Sequence, residues 1–329
     1  MSASTSQSTT RKVIGVDLGG TKLLAGVIDE QLEVYGRTHS GSAGLSQDDI
    51  VEAVVAAVAE LREFDPDIEA VGFGIPCLID QRSGVAVMAV NLPIQDFAFR
   101  DTMRKKLGLP VFMDNDANVA TLVEQRFGAA RGGRDVVGLT IGTGIGGGIV
   151  LDGQIYRGSV GAGGELGHMV IDEDGPPCQG QCPNRGCLEA LASGTAIGRE
   201  GAIAGGEEPE SALGRAVEDG LEITGEMVTD MALSGDEVAR MVLGHIGSKL
   251  GVGLASISNI FNPDYIVVGG GAMAAGELLL EPARAELAVR GLRPNRDLVQ
   301  VVGAKFGAEA GMLGAAVLAF DELDSGGAG

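Results

Sequence analysis

The chain has 329 residues, 54 of them glycine, with 45 acidic against 24 basic side chains and a formal net charge of −21. Apolar residues at 45% suffice for the cores of about two domains, and charged residues at 21% are too few for a disordered chain. A chain this acidic has no basic stripe to track nucleic-acid phosphates, and it shows neither a signal-peptide core nor an apolar run of about 18 residues. The expectation is a soluble cytoplasmic protein with no nucleic-acid and no membrane partner.

After a polar tail, residues 11–29 predict a hairpin: an apolar run at 13–16, the turn Asp17-Leu18-Gly19-Gly20-Thr21-Lys22, and a returning run at 23–28. A third strand is expected over 32–38. Ile50, Val51, Val54, Val55, Val58 and Leu61 recur at helical spacing and predict a helix over 47–61 with one buried face. Strands follow at 70–75, running into Pro76, and at 111–113, running into Asp114-Asn115-Asp116-Ala117-Asn118 with a helix to Gln125. The pattern then restarts: a strand at 135–141, a glycine turn over 142–148, and strands at 149–151 and 154–156. Helix and strand alternate onward to a strand at 265–268 followed by Gly269, Gly270 and Gly271. Apolar positions over 238–254 suit either a dimer interface or ordinary core. A last apolar helix is expected over 309–320, then a disordered tail from Asp324. Two openings of strand, glycine turn and strand predict a two-lobed α/β architecture with a duplicated core.

Glycine stands at about twice its usual share of ~7% without a collagen period, so its placement matters. Backbone N–H groups converging at a glycine turn hold a phosphate without a basic side chain. Both glycine turns suit that task, and Asp17, beside Gly19, Gly20 and Thr21, suits indirect coordination of a Mg²⁺ bridging phosphate oxygens. Gly142-x-Gly144-x-x-Gly147 satisfies the dinucleotide motif, but a β-like stretch follows it where a Rossmann fold needs a helix. The chain contains no Gly-Lys-Ser/Thr and no Gly-x-Ser-x-Gly, which excludes the P-loop and the nucleophile elbow.

Asp114-Asn115-Asp116-Ala117-Asn118 has two readings. One is a helix cap, which Asp and Asn favour. The other has Asp116 accepting a proton from a substrate hydroxyl while Asn115 orients it. Downstream, His168, Cys178, Cys182 and Cys187 form a Cys₃His set, a closed tetrahedral arrangement for structural Zn²⁺, with Gly175, Gly180 and Gly186 permitting the tight loop. Cys77 stands alone.

Taken together, Ile14-Gly15-Val16-Asp17-Leu18-Gly19-Gly20-Thr21-Lys22, Gly72-Phe73-Gly74-Ile75-Pro76, Asn115-Asp116-Ala117-Asn118, residues 142–148, Gly164-Glu165-Leu166-Gly167-His168 and Gly186-Cys187-Leu188-Glu189 resemble the sugar kinases of the repressor–ORF–kinase (ROK) family. The resemblance extends from about Val13 to Phe320. It implies a two-domain actin-like ATPase (ribonuclease H-like) α/β fold: a tail over 1–12, a lobe over 13–116 completed by a helix at 307–322, and a lobe over 117–306 with a zinc-binding loop at 168–187. It implies an ATP-dependent glucokinase acting at the 6-hydroxyl, with sugar bound in the cleft, Asp116 as catalytic base, and Asn115, Glu165, His168 and Glu189 as sugar contacts. The nucleotide and its Mg²⁺ fall to Asp17, Gly19, Gly20, Thr21 and Lys22, to Gly142, Thr143 and Gly144, and, on the adenosine side, to Gly269, Gly270 and Gly271. Zn²⁺ falls to His168, Cys178, Cys182 and Cys187, and a homodimer or homotetramer is expected. Two departures stand out: Gln179-Gly180-Gln181 separates the first two cysteines where the family commonly has one residue, and Asn91-Leu92-Pro93 lacks the glycine and aromatic expected after Asn-Leu. A kinase for N-acetylmannosamine, fructose or mannose is the neighbouring alternative. A sugar-responsive regulator is disfavoured because the first loop opens at Gly15, which leaves no preceding helix-turn-helix.

Overall fold

The structure, a computed structural model, describes residues 10–89 and 91–326. The chain divides into two compact units, residues 1–120 with 309–329 and residues 121–308.

The first unit opens with β1 (Lys12–Leu18), β2 (Lys22–Asp29) and β3 (Val34–Gly41), followed by α1 (Gln47–Phe64) and β4 (Ile68–Ile75). A small antiparallel sheet of β5 (Cys77–Asp80), β6 (Val85–Ala89) and β7 (Gln95–Phe97) comes next, then α2 (Phe99–Leu107), β8 (Val111–Asn115) and the start of α3 (Asp116–Phe127). The main sheet has the order β3-β2-β1-β4-β8. Its hairpin is antiparallel, with Lys12 opposite Asp29 and Leu18 opposite Leu23, whereas β1, β4 and β8 run parallel. The parallel strands are buried on both faces and hence read as unbroken apolar runs. Ile14 and Val16 face the apolar side of α1, where Ile50, Val54 and Leu61 are buried, and Phe73 meets Phe99 edge-on at 5.1 Å. A capping box between Ser46 and Asp49 starts α1 at the predicted residue.

The second unit repeats the plan: β9 (Val136–Ile141), β10 (Ile145–Leu151) and β11 (Gln154–Ile155) come first. The helices α4 (Leu188–Ala192), α5 (Gly194–Glu207), α6 (Ala212–Glu218), α7 (Gly225–Leu233) and α8 (Glu237–Phe261) follow, then β12 (Tyr265–Gly269), α9 (Glu277–Arg290), α10 (Asn295–Leu298) and β13 (Gln300–Gly303). Its sheet order, β11-β10-β9-β12-β13, combines an antiparallel hairpin with three parallel strands, the same pattern as the first unit, so the duplicated core is a property of the topology. The apolar positions of α8, among them Val242, Ile246, Leu250 and Leu254, are core: they pack with Leu139, Ile141 and Val268.

The last helix, α11 (Ala310–Asp324), belongs to the first unit. It lies on the sheet face opposite α1, and a Cβ on Gly15 or Gly72 would stand 2.1 or 1.9 Å from the carbonyl oxygens of Met312 and Ala315. Glycine there is what lets helix and sheet backbones touch.

Four expectations need correction. The glycine turn is shorter than 142–148, because β10 begins at Ile145 and Gly146, Gly147 and Gly148 pair with Thr140, Leu139 and Gly138. Gly147 is glycine because another segment crosses the strand there: a Cβ on it would lie 2.2 Å from the Gly164 carbonyl oxygen. Leu32 lies in the β2–β3 turn at φ +65, ahead of the strand it was assigned to, where the Asp29 carboxylate accepts the Gln31 and Glu33 N–H groups. Of the expected 1–12 tail, Arg11 and Lys12 are part of the fold; Lys12 begins β1, and Arg11 bonds Glu30, Glu69 and Asp324. Asp324, expected in the C-terminal tail, is still helical, while residues 1–9 and 327–329 of the two tails lie outside the described residues.

Candidate functional site

In the first unit the chemistry gathers at the carboxyl ends of the parallel strands, the edge where open α/β sheets bind ligands. Asp17 pairs with Gly74, Gly74 with Asp114 and Ile75 with Asn115, so the ends of β1, β4 and β8 lie side by side. The Asp17 carboxyl is pushed up to about 6, chiefly by burial and then by the charge of Asp116, with Lys22 pulling the other way. A buried carboxylate with a second carboxylate beside it has too little positive charge near it, and its oxygens suit a hard divalent cation. The start of α11 closes the space behind it: a Cβ on Gly311 would stand 2.5 Å from Asp17 Cγ.

The turn between β1 and β2 is tied at both ends. Gly19 N–H donates to the Lys22 carbonyl at 2.9 Å, and the buried Ser42 hydroxyl donates to the Gly19 carbonyl at 2.6 Å. Ser42 N–H also reaches the Thr21 carbonyl at 3.0 Å. The amides of Gly20 and Thr21 remain without a protein acceptor among the described residues, so those two, and not Gly19, are open to an anion. Gly20 also has Asn91 against it, with a hypothetical Cβ 2.8 Å from the Asn91 carbonyl oxygen.

Asn115 and Asp116 have the geometry of the cap reading. Asn115 Oδ1 accepts the Ala117 N–H at 2.9 Å, capping α3, which commits its oxygen and turns its Nδ2 into the group available to donate. Asp116 is the first helical residue, half-buried, with Oδ1 accepting Ala117 N–H at 2.9 Å and its charge felt at Asp17. Buried Asp114 holds the strand-to-helix junction by accepting Asn115 N–H and Asn118 Nδ2, both at 2.8 Å. Cys77 is a buried neutral thiol pushed up to about 11 by burial, so it is no nucleophile.

In the second unit, Gly142, Thr143 and Gly144 form the turn at the end of β9, and Gly269, Gly270 and Gly271 lie at the end of its parallel neighbour β12. Gly270, at φ +89, presses on Ile141, whose carbonyl oxygen would be 2.4 Å from a Cβ, so the two glycine segments abut. The 142–144 turn is held by Gly142 N–H to Gly144 O at 2.9 Å, Gly194 N–H to Gly142 O at 2.8 Å, and Thr195 Oγ1 to Thr143 O at 2.8 Å.

The Cys₃His residues converge, with their ligand atoms all within 4.8 Å of one another. His168 Nδ1 stands 3.5 Å from Cys178 Sγ, and Cys182 Sγ stands 3.9 Å from Cys187 Sγ. A tetrahedron with Zn–S of about 2.3 Å and Zn–N of about 2.0 Å has edges of about 3.5 Å for S–N and 3.8 Å for S–S. The donor set and its spacing therefore fit Zn²⁺, and the wider Cys178–Cys182 loop does not spoil the fit. Gly186, at φ +61, is obligatory here, since a Cβ would lie 1.5 Å from the Asp172 carbonyl oxygen. The other histidine nitrogen, Nε2, points to Glu165 Oε2 at 3.9 Å. Glu189, in the first turn of α4, lies between cluster and turn: Oε1 is 3.7 Å from Cys178 Sγ and Oε2 accepts Ile145 N–H at 2.8 Å. The supports Ser42, Gly311 and Thr195 are absent from the sequence reading, because nothing in their local pattern separates them from ordinary loop and helix residues.

Among the described residues no helix is long and apolar enough to cross a membrane. The ROK family matches residues 13–322. A glucokinase from Halalkalibacterium halodurans is 35% identical over 311 residues, covering 92% of this chain and 93% of its own. The solved structure of a ROK family glucokinase from Streptomyces griseus, in complex with glucose and AMPPNP, superimposes with a TM-score of 0.81 at 36% identity, over 93% of this chain and 98% of that one. A ROK family transcriptional regulator, a homologue of the E. coli MLC protein, superimposes with a TM-score of 0.84 at 28% identity, over 94% of this chain and 78% of that one.

Proposed function

Because the chain belongs to the ROK family, we propose that it is an ATP-dependent glucokinase, transferring the γ-phosphoryl group of ATP to the 6-hydroxyl of glucose. The observation that carries this reading is the pair Asp17 and Asp116, one carboxylate suited to a cation and the other at a helix start, in a chain aligned over nine-tenths of its length with glucokinases.

Phosphoryl transfer asks a protein mainly to position reactants and neutralise charge. Asp116 accepts the proton of the 6-hydroxyl as that oxygen attacks, and Asn115 donates from Nδ2 to a neighbouring sugar hydroxyl. The Gly20 and Thr21 amides bind phosphate oxygens, and Asp17, with Lys22 alongside, would hold Mg²⁺, which would supply charge neutralisation at the phosphates. In the second unit the 142–144 turn takes phosphate oxygens, and Gly269, Gly270 and Gly271 admit the adenosine side because they carry no Cβ. Glu165, His168 through Nε2, and Glu189 accept or donate to sugar hydroxyls. Zn²⁺, when bound by His168 Nδ1, Cys178, Cys182 and Cys187, supplies no chemistry beyond holding the loop, since four protein ligands leave it no open position.

The assignment includes the cytoplasm, where a reducing milieu keeps such thiols available for metal, and a homodimeric or homotetrameric state. The test is a coupled assay with ATP against glucose, mannose, fructose and N-acetylmannosamine. Glucose is expected to show the highest kcat/KM, and Asp116→Asn to lower kcat by at least about 10² while glucose still binds. A different preferred hexose overturns the substrate, and near-normal turnover by the variant removes Asp116 from the base role.

A further inference from the structure

The residues inserted between the first two cysteines build a connection. Cys182 N–H returns to the Gln179 carbonyl at 3.3 Å, and Gly180, at φ +60, completes the turn, which leaves the half-buried Gln179 side chain directed away from the cluster. Its amide nitrogen donates to two acceptors, the Thr143 carbonyl at 3.2 Å and Ser193 Oγ at 3.0 Å. Ser193 is fully buried and caps α5 by accepting Ala196 N–H at 3.2 Å. Thr143 is exposed and sits at the centre of the 142–144 turn, and its carbonyl also receives Thr195 Oγ1. One side chain thus joins the Cys-rich loop, the glycine turn and the start of α5.

The orientation of a peptide plane is shared by the carbonyl of one residue and the amide of the next. Two donors fixing the Thr143 carbonyl therefore fix the Gly144 N–H. That amide has no protein acceptor among the described residues, and the exposed Gly142 and Thr143 give the turn little side-chain packing beyond the Glu189 side chain that lies against Gly144. The neighbouring Ile145 N–H is already taken by Glu189.

We propose that Gln179 is a positioning residue for the nucleotide: it presets the peptide plane between Thr143 and Gly144, so that the phosphate-facing amide is aimed before ATP arrives. This rests on the assignment of the 142–144 turn to phosphate. It also gives the widened cysteine spacing a task on the nucleotide side, distinct from the sugar contacts of Glu165 and His168.

The test compares wild type with Gln179→Met, which keeps the length and loses the donor, and Gln179→Glu, which turns acceptors toward the Thr143 carbonyl. AMPPNP affinity by calorimetry, KM for ATP and for glucose, zinc content, and amide exchange across residues 142–148 are measured on the full chain. Losing this hydrogen bond is expected to weaken AMPPNP and raise KM for ATP about 3–10-fold, more for Gln179→Glu. KM for glucose stays within about twofold, zinc content is unchanged, and exchange over 142–148 quickens. Unchanged AMPPNP affinity in both variants overturns the proposal, as does an equal rise of both KM values with loss of zinc, the signature of a merely structural residue. A wild-type protein that binds no AMPPNP overturns the phosphate assignment itself, and the proposal falls with it.

Discussion

Asp17 shows how a single side chain trades stability for binding. Its carboxyl titrates near 6 in the fold, well above an exposed aspartate, because it is buried and stands beside Asp116. For an acid raised by folding, the native state is favoured when the group is protonated, and this contribution is lost as pH rises through about 6. Asp17→Asn is therefore expected to raise the Tm of the ligand-free protein at pH 7–8, a gain of up to about 3 kcal/mol. The gain should vanish near pH 4, where the wild-type carboxyl is protonated as well. The same variant should lose at least about 10² in kcat/KM, because the cation loses its anchor. Thermal melts across pH with parallel assays check both halves; equal melting of the two proteins at pH 8 would show that Asp17 carries no such burden.

At the scale of elements, the turn, the cluster and the short helix α4 hold one another. Cys187 is the residue before α4, Glu189 on α4 reaches Ile145, and Gly186 passes under Asp172. Removing Zn²⁺ with a strong chelator should lower the Tm and raise KM for glucose, since Glu165, His168 and Glu189 all depend on that loop; ordering of such a loop by metal is worth up to about 10 kcal/mol in small zinc modules. Metal analysis that finds no zinc in active protein would remove the metal from the account. This was among the most legible parts of the chain, because three cysteines and a histidine within twenty residues have few other uses. The strand glycines Gly146, Gly147 and Gly148 were not: a glycine run reads as a turn whether it bends or pairs, and only the pairing with β9, and at Gly147 the approach of Gly164, tells the two apart.

Over the whole molecule, the repeated hairpin-then-parallel order of both sheets was visible in the repeated strand, glycine turn, strand pattern, since a hairpin and its turn are local in sequence. What could not be read were the supports that come from far along the chain, such as Gly311 behind Asp17 and Arg11 on Asp324, because their partners are set by tertiary packing. The net charge of −21 bears on binding at this scale. A polyanion held by amides and Mg²⁺ on an acidic protein gains nothing from long-range attraction, so raising KCl from about 50 to about 300 mM should leave KM for ATP level or lower it. A tenfold rise would mean that basic side chains dominate the contact.

The seat of α11 on the first sheet bears on any attempt to stabilise the protein by design. Replacing helical glycine with alanine ordinarily gains up to about 1 kcal/mol, and α11 offers Gly311 and Gly314 as obvious targets. A methyl group at the first would meet the Asp17 carboxylate and at the second the Val119 carbonyl oxygen, 2.0 Å away. Consensus rules for thermostabilisation thus point the wrong way in this helix, where Met312 through Phe320 are all buried and only Asp324, at its end, is exposed.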